Sequence, residues 1–295
     1  MRASVILNTR SSRTQRQLNR LPGLMRSRGI AVDGYHTVEG EDDLRKYVKR
    51  AVKAGATLAI VGGGDGSMAT AVDVLANEDT VLGVLPLGTG NSFAKTLHID
   101  DDLERALDVI AAGRTRRVDL GVVNGTHFAN FATIGLSSEI ADAAPHALKP
   151  IVGPAAYALG AAGPFLTHRP FTARIRSDRG ESTLRTQQIV IANGRFFGRQ
   201  PVTPDATIVD ERLAFFTTTG VSYFAVARMY AAFGLGLQTR LPDAMYFSAK
   251  AICVKASPKQ LVAIDGNAFG HTPAHFSVAP RALHVCVPAD FHAYQ

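Results

Sequence analysis

The chain has 295 residues, 46% of them hydrophobic and 19% charged, which fits two domains with proper cores and excludes a disordered or fibrous chain. Its two cysteines, Cys253 and Cys286, lie far apart without CxxC spacing, so neither a disulfide framework nor a zinc site is read, and a reducing cytoplasm suits the chain. The net charge of +7 favours acidic partners, namely nucleotide phosphates, an anionic membrane surface or nucleic acid, without choosing among them.

In chain order, Val5-Ile-Leu7 is too short for the apolar segment of a signal peptide, and residues 4–8 read as a first strand ending in Asn8. A polar loop with Ser11, Ser12 and Arg13 follows. Residues 13–28 look helical and basic, with a break at Pro22-Gly23 and a C-cap at Gly29. Arg10, Arg13, Arg16, Arg20, Arg26 and Arg28 make either a basic surface patch or a solvated face. Residues 30–37 read as a second strand. Residues 41–54 form an amphipathic helix with Leu44, Tyr47, Val48, Ala51 and Val52 on one face, acids first and bases last.

The stretch Ala59-Ile-Val-Gly-Gly-Gly-Asp-Gly-Ser67 is then a short buried strand running into a glycine-rich turn, and 68–76 continues as a helix. Glycine admits close approach of a ligand, and the amides opening the next helix face outward with a favourable dipole, so the turn reads as a phosphate cradle. Asp65 inside it implies a divalent cation or a hydroxyl alongside the phosphate. Residues 81–85 form another strand, feeding a second loop, Pro86-Leu-Gly-Thr-Gly-Asn-Ser-Phe-Ala94, and 101–112 a helix. The first part of the chain thus alternates strand and helix, an α/β unit with a largely parallel sheet and two loops at one crevice.

Beyond Arg116 the character changes. Residues 118–123, 127–134, 172–177, 188–192, 213–218, 251–255, 260–264 and 283–287 read as strands, with Asn124-Gly125 and Asn193-Gly194 as hairpin signals. Helices are fewer, at 154–166 and 222–235. Residues 150–167 carry no charge, but their prolines and glycines favour a buried helix over a membrane span. Phe196-Phe197, Phe215-Phe216 and the aromatics from Phe224 to Phe233 read as core, with a lipid-lined cleft as the other use. His271 and His275 are four apart, but Pro273 between them prevents a helix that would aim both at one metal.

Three phosphate motifs are excluded. Thr89 to Thr96 lacks both P-loop glycines, Gly64-x-Gly66-x-x-Ala69 is not in the first βα unit and no acidic residue follows the next strand, and the kinase signatures H-R-D and D-F-G are absent.

The two loops together, Gly62-Gly-Gly-Asp-Gly-Ser67 and Leu85-Pro-Leu-Gly-Thr-Gly-Asn-Ser-Phe-Ala94, resemble the diacylglycerol kinase catalytic domain family, which includes bacterial soluble lipid kinases and is related to sphingosine and ceramide kinases. The resemblance runs on, in order, through Val118-Asp-Leu-Gly121, Phe128 to Gly135, Ala156-Tyr157, Val190 to Gly194, Pro204-Asp-Ala206 and Ile264-Asp-Gly266. It implies an N-terminal α/β nucleotide-binding domain like that of NAD kinases over 1–118. It further implies a C-terminal β-sandwich domain over 119–295, its last strand free to return to the first, with the active site in the cleft between them.

The resemblance further implies that Gly62, Gly63, Gly64, Asp65, Gly66, Ser67, Met68 and Ala69 hold ATP phosphates. Asn8, Thr37, Thr89, Gly90 and Asn91 match further nucleotide positions, Asn91 either ordering its loop or touching ATP. Asp65 would orient the Mg²⁺-bound phosphates through water. A second metal site matches the carboxylate of Asp210 and the carbonyls of Thr207 and Arg212, although Glu211 stands where glycine is usual. The family's general base is the glutamate of Asp-Gly-Glu, and here the run is Asp265-Gly-Asn267. An amide cannot take the proton, so Asp265 acts as base or the reaction proceeds with little base help. Ser92 replaces a frequent aspartate and Lys95 a frequent arginine.

The reading is an ATP-dependent, Mg²⁺-requiring kinase of a lipid alcohol such as diacylglycerol. It is cytoplasmic and bound peripherally, in a salt-sensitive way, to the anionic inner membrane face, without nucleic acid. A homodimer is compatible, and neither the lipid nor the oligomeric state is fixed. The alternatives are an NAD kinase-like small-molecule kinase and a catalytically weak or silent nucleotide- or lipid-binding homologue.

Overall fold

A computed structural model of the chain describes residues 3–143, 163, 167–197, 200–201 and 206–291. It divides into two compact units, Met1–Leu120 with Pro280–Gln295, and Gly121–Ala279. The expected helix at 154–166, save Gly163, and the motif residues Ala156, Tyr157, Pro204 and Asp205 lie outside the described residues.

The first unit holds β1 (Ala3–Asn8), α1 (Ser12–Gln17), α2 (Leu21–Ser27), β2 (Val32–Val38), α3 (Glu41–Lys53), β3 (Leu58–Gly63), α4 (Asp65–Leu75), β4 (Val81–Pro86), α5 (Ser92–Thr96) and α6 (Leu103–Ala111). Its strands are parallel in the order β2-β1-β3-β4. β1 and β3 are buried at every position, which is why both are unbroken small or apolar runs, whereas the edge strand β2 alternates half-buried and exposed residues. α3 buries Leu44, Val48 and Ala51 and places Glu41, Asp42 and Asp43 in its first turn, where the helix dipole favours them. The expected basic helix is two helices. The break falls at residues 18–20, not at Pro22-Gly23, because proline is tolerated in a first turn and sits there in α2. Gly29 (φ 69°) closes α2, with Ile30 N–H donating to Met25 O at 3.0 Å.

β5 (Thr115–Val123) leads into the second unit, where β6 (Thr126–Phe128) and β7 (Phe131–Gly135) replace the single strand expected over 127–134. Then come α7 (Leu136–Ala143), β8 (Phe171–Ser177), β9 (Gly180–Thr186), β10 (Gln188–Ala192), the short β11 (Phe196–Phe197) and β12 (Gln200–Pro201), and β13 (Leu213–Thr218). α8 (Tyr223–Leu235), β14 (Ala244–Ala249), β15 (Ala251–Ser257), β16 (Leu261–Ile264), β17 (Asn267–His271) and β18 (Ala274–Cys286) complete the order. One sheet is antiparallel, β14-β13-β10-β7-β16-β17, and a second runs from the start of β18 through β15 and β8 to β9. Ile189, Ile191, Leu213 and Phe215 of the first sheet pack with Phe171, Ala173, Ile252 and Phe276 of the second, a sandwich core. The alternate residues, Val190, Ala192, Ala214 and Phe216, face α7 and α8 instead, meeting Leu136, Ile140, Val226 and Met229. Burial on both faces explains why β10 and β13 read as continuous apolar runs.

Asn124 (φ 47°) and Gly125 (φ 91°) form the expected hairpin turn between β5 and β6. Asn193-Gly194 does not make one: β10 pairs with β7 and β13, and both residues donate their N–H to Asn130 O at 2.8 Å. β18 begins in the second unit and ends in the first, where Val285 pairs in parallel with Leu82 of β4.

Candidate functional site

In the first unit, Thr37, Asn8, Gly62-Gly63 and Pro86 stand at the carboxyl ends of β2, β1, β3 and β4. The order β2-β1-β3-β4 reverses direction between β1 and β3, which is where an open α/β sheet leaves room for a ligand. Across that point Asn8 Nδ2 donates to Ser67 Oγ at 3.0 Å. Gly64 N-caps α4 with no side-chain cap bond, so the N–H groups of Asp65, Gly66 and Ser67 open the helix without an acceptor inside it. The glycines are there for space. A Cβ on Gly63 would lie 2.6 Å from Ser67 Cβ, and one on Gly88 would lie 2.8 Å from Asn91 Oδ1. One on Gly64 would stand 3.3 Å from Gly88 Cα, so the two loops touch backbone to backbone.

Asp65 ties these loops together. Its Oδ2 accepts from Asn91 N–H at 3.1 Å and its Oδ1 from Ser92 N–H at 2.6 Å, capping α5 from the first turn of α4. Two further acceptor directions remain on the carboxylate for a cation-bound water, but its first role is to fix the loop. Asn91 (φ 53°) is 2% exposed. Its side chain accepts from Gly88 N–H at 2.9 Å and donates to Gly88 O at 3.1 Å and Asp101 Oδ1 at 2.8 Å. Of the two roles left open for it, these contacts suit ordering the loop. Thr89 is exposed and Gly90 half-buried on the same loop, Met68 is buried, and Ala69 half-buried.

Sequence reasoning missed the outer supports of this loop. Ser11 Oγ donates to Leu87 O at 2.7 Å, Arg13 donates to the carbonyls of Gly88 and Asp101, and Lys95 Nζ donates to Gly90 O. Of the basic stretch, Arg20 and Arg28 pair with Glu104 and Asp108. A run of arginines in sequence carried no signal that one of them is a loop clamp.

The second unit has its own polar hub. Asp265 (φ 46°) and Gly266 (φ 84°) form the two-residue turn between β16 and β17. The Asp265 carboxylate, 7% exposed, accepts N–H groups from Ala129 at 2.8 Å, Asn130 at 2.9 Å and Phe131 at 3.1 Å. These bonds explain the break between β6 and β7. They also engage both carboxylate oxygens in anchoring backbone, which argues against Asp265 as a freely acting base. Asn193 Nδ2 donates to Ala129 O at 2.9 Å, joining a third loop to the hub. Asn267, half-buried, follows as the first residue of β17.

At the expected metal turn Glu211 (φ 57°) takes the left-handed conformation that a glycine would take. Asp210 is exposed and its Oδ1 accepts Arg212 N–H at 3.1 Å. The Arg212 guanidinium turns to Ser248 O at 2.7 Å, leaving only its backbone for a cation. Among the described residues no group of three His, Cys, Asp or Glu side chains converges on one point.

One polar cluster lies within the apolar layer between α7, β10 and α8. Ser137 Oγ and Tyr230 OH are 2.8 Å apart, and both donate to Gln188 Oε1, at 2.5 and 2.9 Å. Burial pushes the Tyr230 phenol up to about 12.

Residues 2–123 match the diacylglycerol kinase catalytic domain, and residues 131–287 match the YegS C-terminal NAD kinase beta sandwich-like domain. The diacylglycerol kinase of Staphylococcus aureus is 29% identical over 297 residues, covering 98% of this chain and 93% of its own. That of Staphylococcus haemolyticus is 28% identical over 270 residues, covering 90% and 81%. A crystal structure of a Bacillus anthracis diacylglycerol kinase superposes with a TM-score of 0.75 at 20% identity, over 98% of this chain and 97% of that one. A second Bacillus anthracis structure reaches 0.82 at 23% identity, over 98% and 95%. At these identities the superpositions speak for the fold.

Proposed function

The chain belongs to the diacylglycerol kinase catalytic domain family, and from that premise we propose that it transfers the γ-phosphate of ATP to the hydroxyl of a lipid alcohol, with diacylglycerol the first substrate to try. The observation that carries the reading is the uncapped start of α4 beside glycines whose Cβ atoms would collide with Ser67 and Asn91. Unpaired N–H groups at a helix N-terminus, with no side chain in the way, suit a polyphosphate.

In this reading the amides of Gly64 to Ser67 cradle the phosphates. Asn8, Thr37, Met68, Ala69, Thr89 and Gly90 line the nucleotide's place, and Asn91 holds the second loop in shape. The remaining acceptor directions of Asp65 would hold the water shell of a triphosphate-bound Mg²⁺, which would supply charge neutralisation. In the second unit Asp210, with the carbonyls of Thr207 and Arg212, suits a hard cation, since left-handed Glu211 preserves the turn. Asp265 shapes the 129–131 loop and Asn267 supplies no base, so phosphoryl transfer relies on positioning and charge neutralisation. The same two residues favour a second reading, a homologue that binds nucleotide and lipid but turns over slowly.

The test is transfer of labelled γ-phosphate to a panel of lipid alcohols and to NAD, across rising Mg²⁺, with the Asp65→Ala and Asp210→Asn proteins alongside. A labelled lipid that is lost with Asp65→Ala is expected, as is a higher Mg²⁺ requirement with Asp210→Asn. Labelled NAD alone, or transfer indifferent to Asp65, would overturn the lipid kinase reading. An Mg²⁺ requirement unchanged in Asp210→Asn would remove the second metal site. The net charge of +7 supports peripheral attraction to an anionic bilayer, and vesicle co-sedimentation indifferent to salt and to anionic lipid would contradict it.

A further inference from the structure

The aromatic helix expected to be core is core on one side only. α8 buries Val226 and Met229 against the six-stranded sheet, but Phe224 is 77% and Leu235 73% exposed. Ala227 and Ala231 are exposed between them. The spacing 224, 227, 231, 235 places all four on one face, about 16 Å long. Leu237, 40% exposed, continues the apolar surface past the helix end, and exposed Arg240 follows it. The single charge within α8, Arg228, pairs with Asp243 at 2.5 Å. Arg228 borders this face, four residues from Phe224, with its charge answered by Asp243; apart from it and Tyr230 the helix is apolar, and such a helix is ordinarily covered on more than one side.

We propose that this outer face of α8 inserts into the interfacial layer of a lipid bilayer, Phe224 and Leu235 entering the acyl region and Arg240 meeting the phosphates. The inference rests on the lipid kinase reading for its choice of partner and adds the surface through which the protein docks. Two observations favour a bilayer over a second copy of the chain. Among the described residues the face has five, Phe224, Ala227, Ala231, Leu235 and Leu237, whereas a stable protein interface takes about 20–30 a side. From Arg212 to Pro242 the sequence has no acidic residue, and the carboxylate that follows, Asp243, is paired with Arg228 and accepts Gly220 N–H, so little on this stretch repels an anionic headgroup layer.

The full chain has no tryptophan, so Phe224→Trp gives a single reporter. With vesicles of phosphatidylglycerol and phosphatidylcholine, its emission is expected to shift to the blue and to be quenched by brominated acyl chains. The double variant Phe224→Ser with Leu235→Ser is expected to lose about tenfold or more in vesicle affinity, and to do so even at about 0.5 M salt, where charge attraction is screened. Its ATP affinity and its transfer to a soluble short-chain diacylglycerol should stay as in the parent. Emission that neither shifts nor quenches, or vesicle binding unchanged in the double variant, overturns the proposal. So does a blue shift without vesicles that tracks a dimer mass in sedimentation, which assigns the face to a second copy. Vesicle binding is read without turnover, so absent phosphate transfer to the short-chain lipid would strike the kinase reading and leave the docking face standing.

Discussion

Asn267 and Asp265 are separated by one glycine, yet their roles part. Asn267 stands at the start of β17, where a carboxylate could take a proton and an amide cannot. Asn267→Glu is therefore expected to raise kcat by about tenfold or more, general bases being worth about 10²–10⁴, with KM for ATP unchanged. A flat or lower kcat would show that the reaction has no use for a base there. Asp265→Asn acts on folding. It sets an amide NH₂ against N–H donors at 129–131 and is expected to cost about 3 kcal/mol, lowering the second unit's melting midpoint by about 6–12 °C. An unchanged midpoint would return Asp265 to consideration as a base. The sequence showed the missing glutamate plainly, because one letter departs from a three-letter run. It could not show that Asp265 is an anchor, because the amides it binds lie more than 130 positions away. Asn91 is similar: its residue type suits both roles named for it, and the contacts with Gly88 and Asp101 that favour ordering the loop are not visible in the sequence.

At the scale of elements, the cradle is a strand end, a glycine run and a helix start, and all three were legible. β3 is an unbroken buried run and α4 follows it directly, so the periodicity changes where the glycines stand. Gly63→Ala is expected to push Ser67 off Asn8 and to weaken ATP binding by about tenfold or more, read by calorimetry, while vesicle binding stays as it was. Equal ATP affinity would mean that the phosphates do not rest on this turn. α5 and α7 were not legible: each is short, and α5 owes its start to Asp65 on another helix. β9 was missed because it is a polar, largely exposed edge strand, and Asn193-Gly194 misled because its partner was Asn130 and not a following strand. The change of fold class near residue 120 was legible from the spacing of apolar runs alone.

On the scale of the molecule, the two cysteines fall one to each unit, Cys253 on β15 and Cys286 near the end of β18. Burial pushes the Cys286 thiol up to about 11 and seals it, whereas Cys253 is half-buried. A thiol reagent at neutral pH should modify Cys253 first and Cys286 only as fast as the first unit opens. Mass spectrometry after partial reaction would show which residue carries the label, and early labelling of Cys286 would mean that the strand containing it frays in the native protein. Neither cysteine advertised this: two identical letters differ only in which core covers them.

The strand that closes the first unit is delivered last. β18 reaches Leu82 only after the chain has passed through the whole of residues 121–279. Synthesis runs from the amino end, so a nascent chain can complete its second unit while the sheet that carries the glycine turn still lacks a strand. The ribosome thus releases a protein whose glycine-turn half is the later of the two to become finished. A stop codon only a few residues before Cys286 would damage the half of the fold that was translated first.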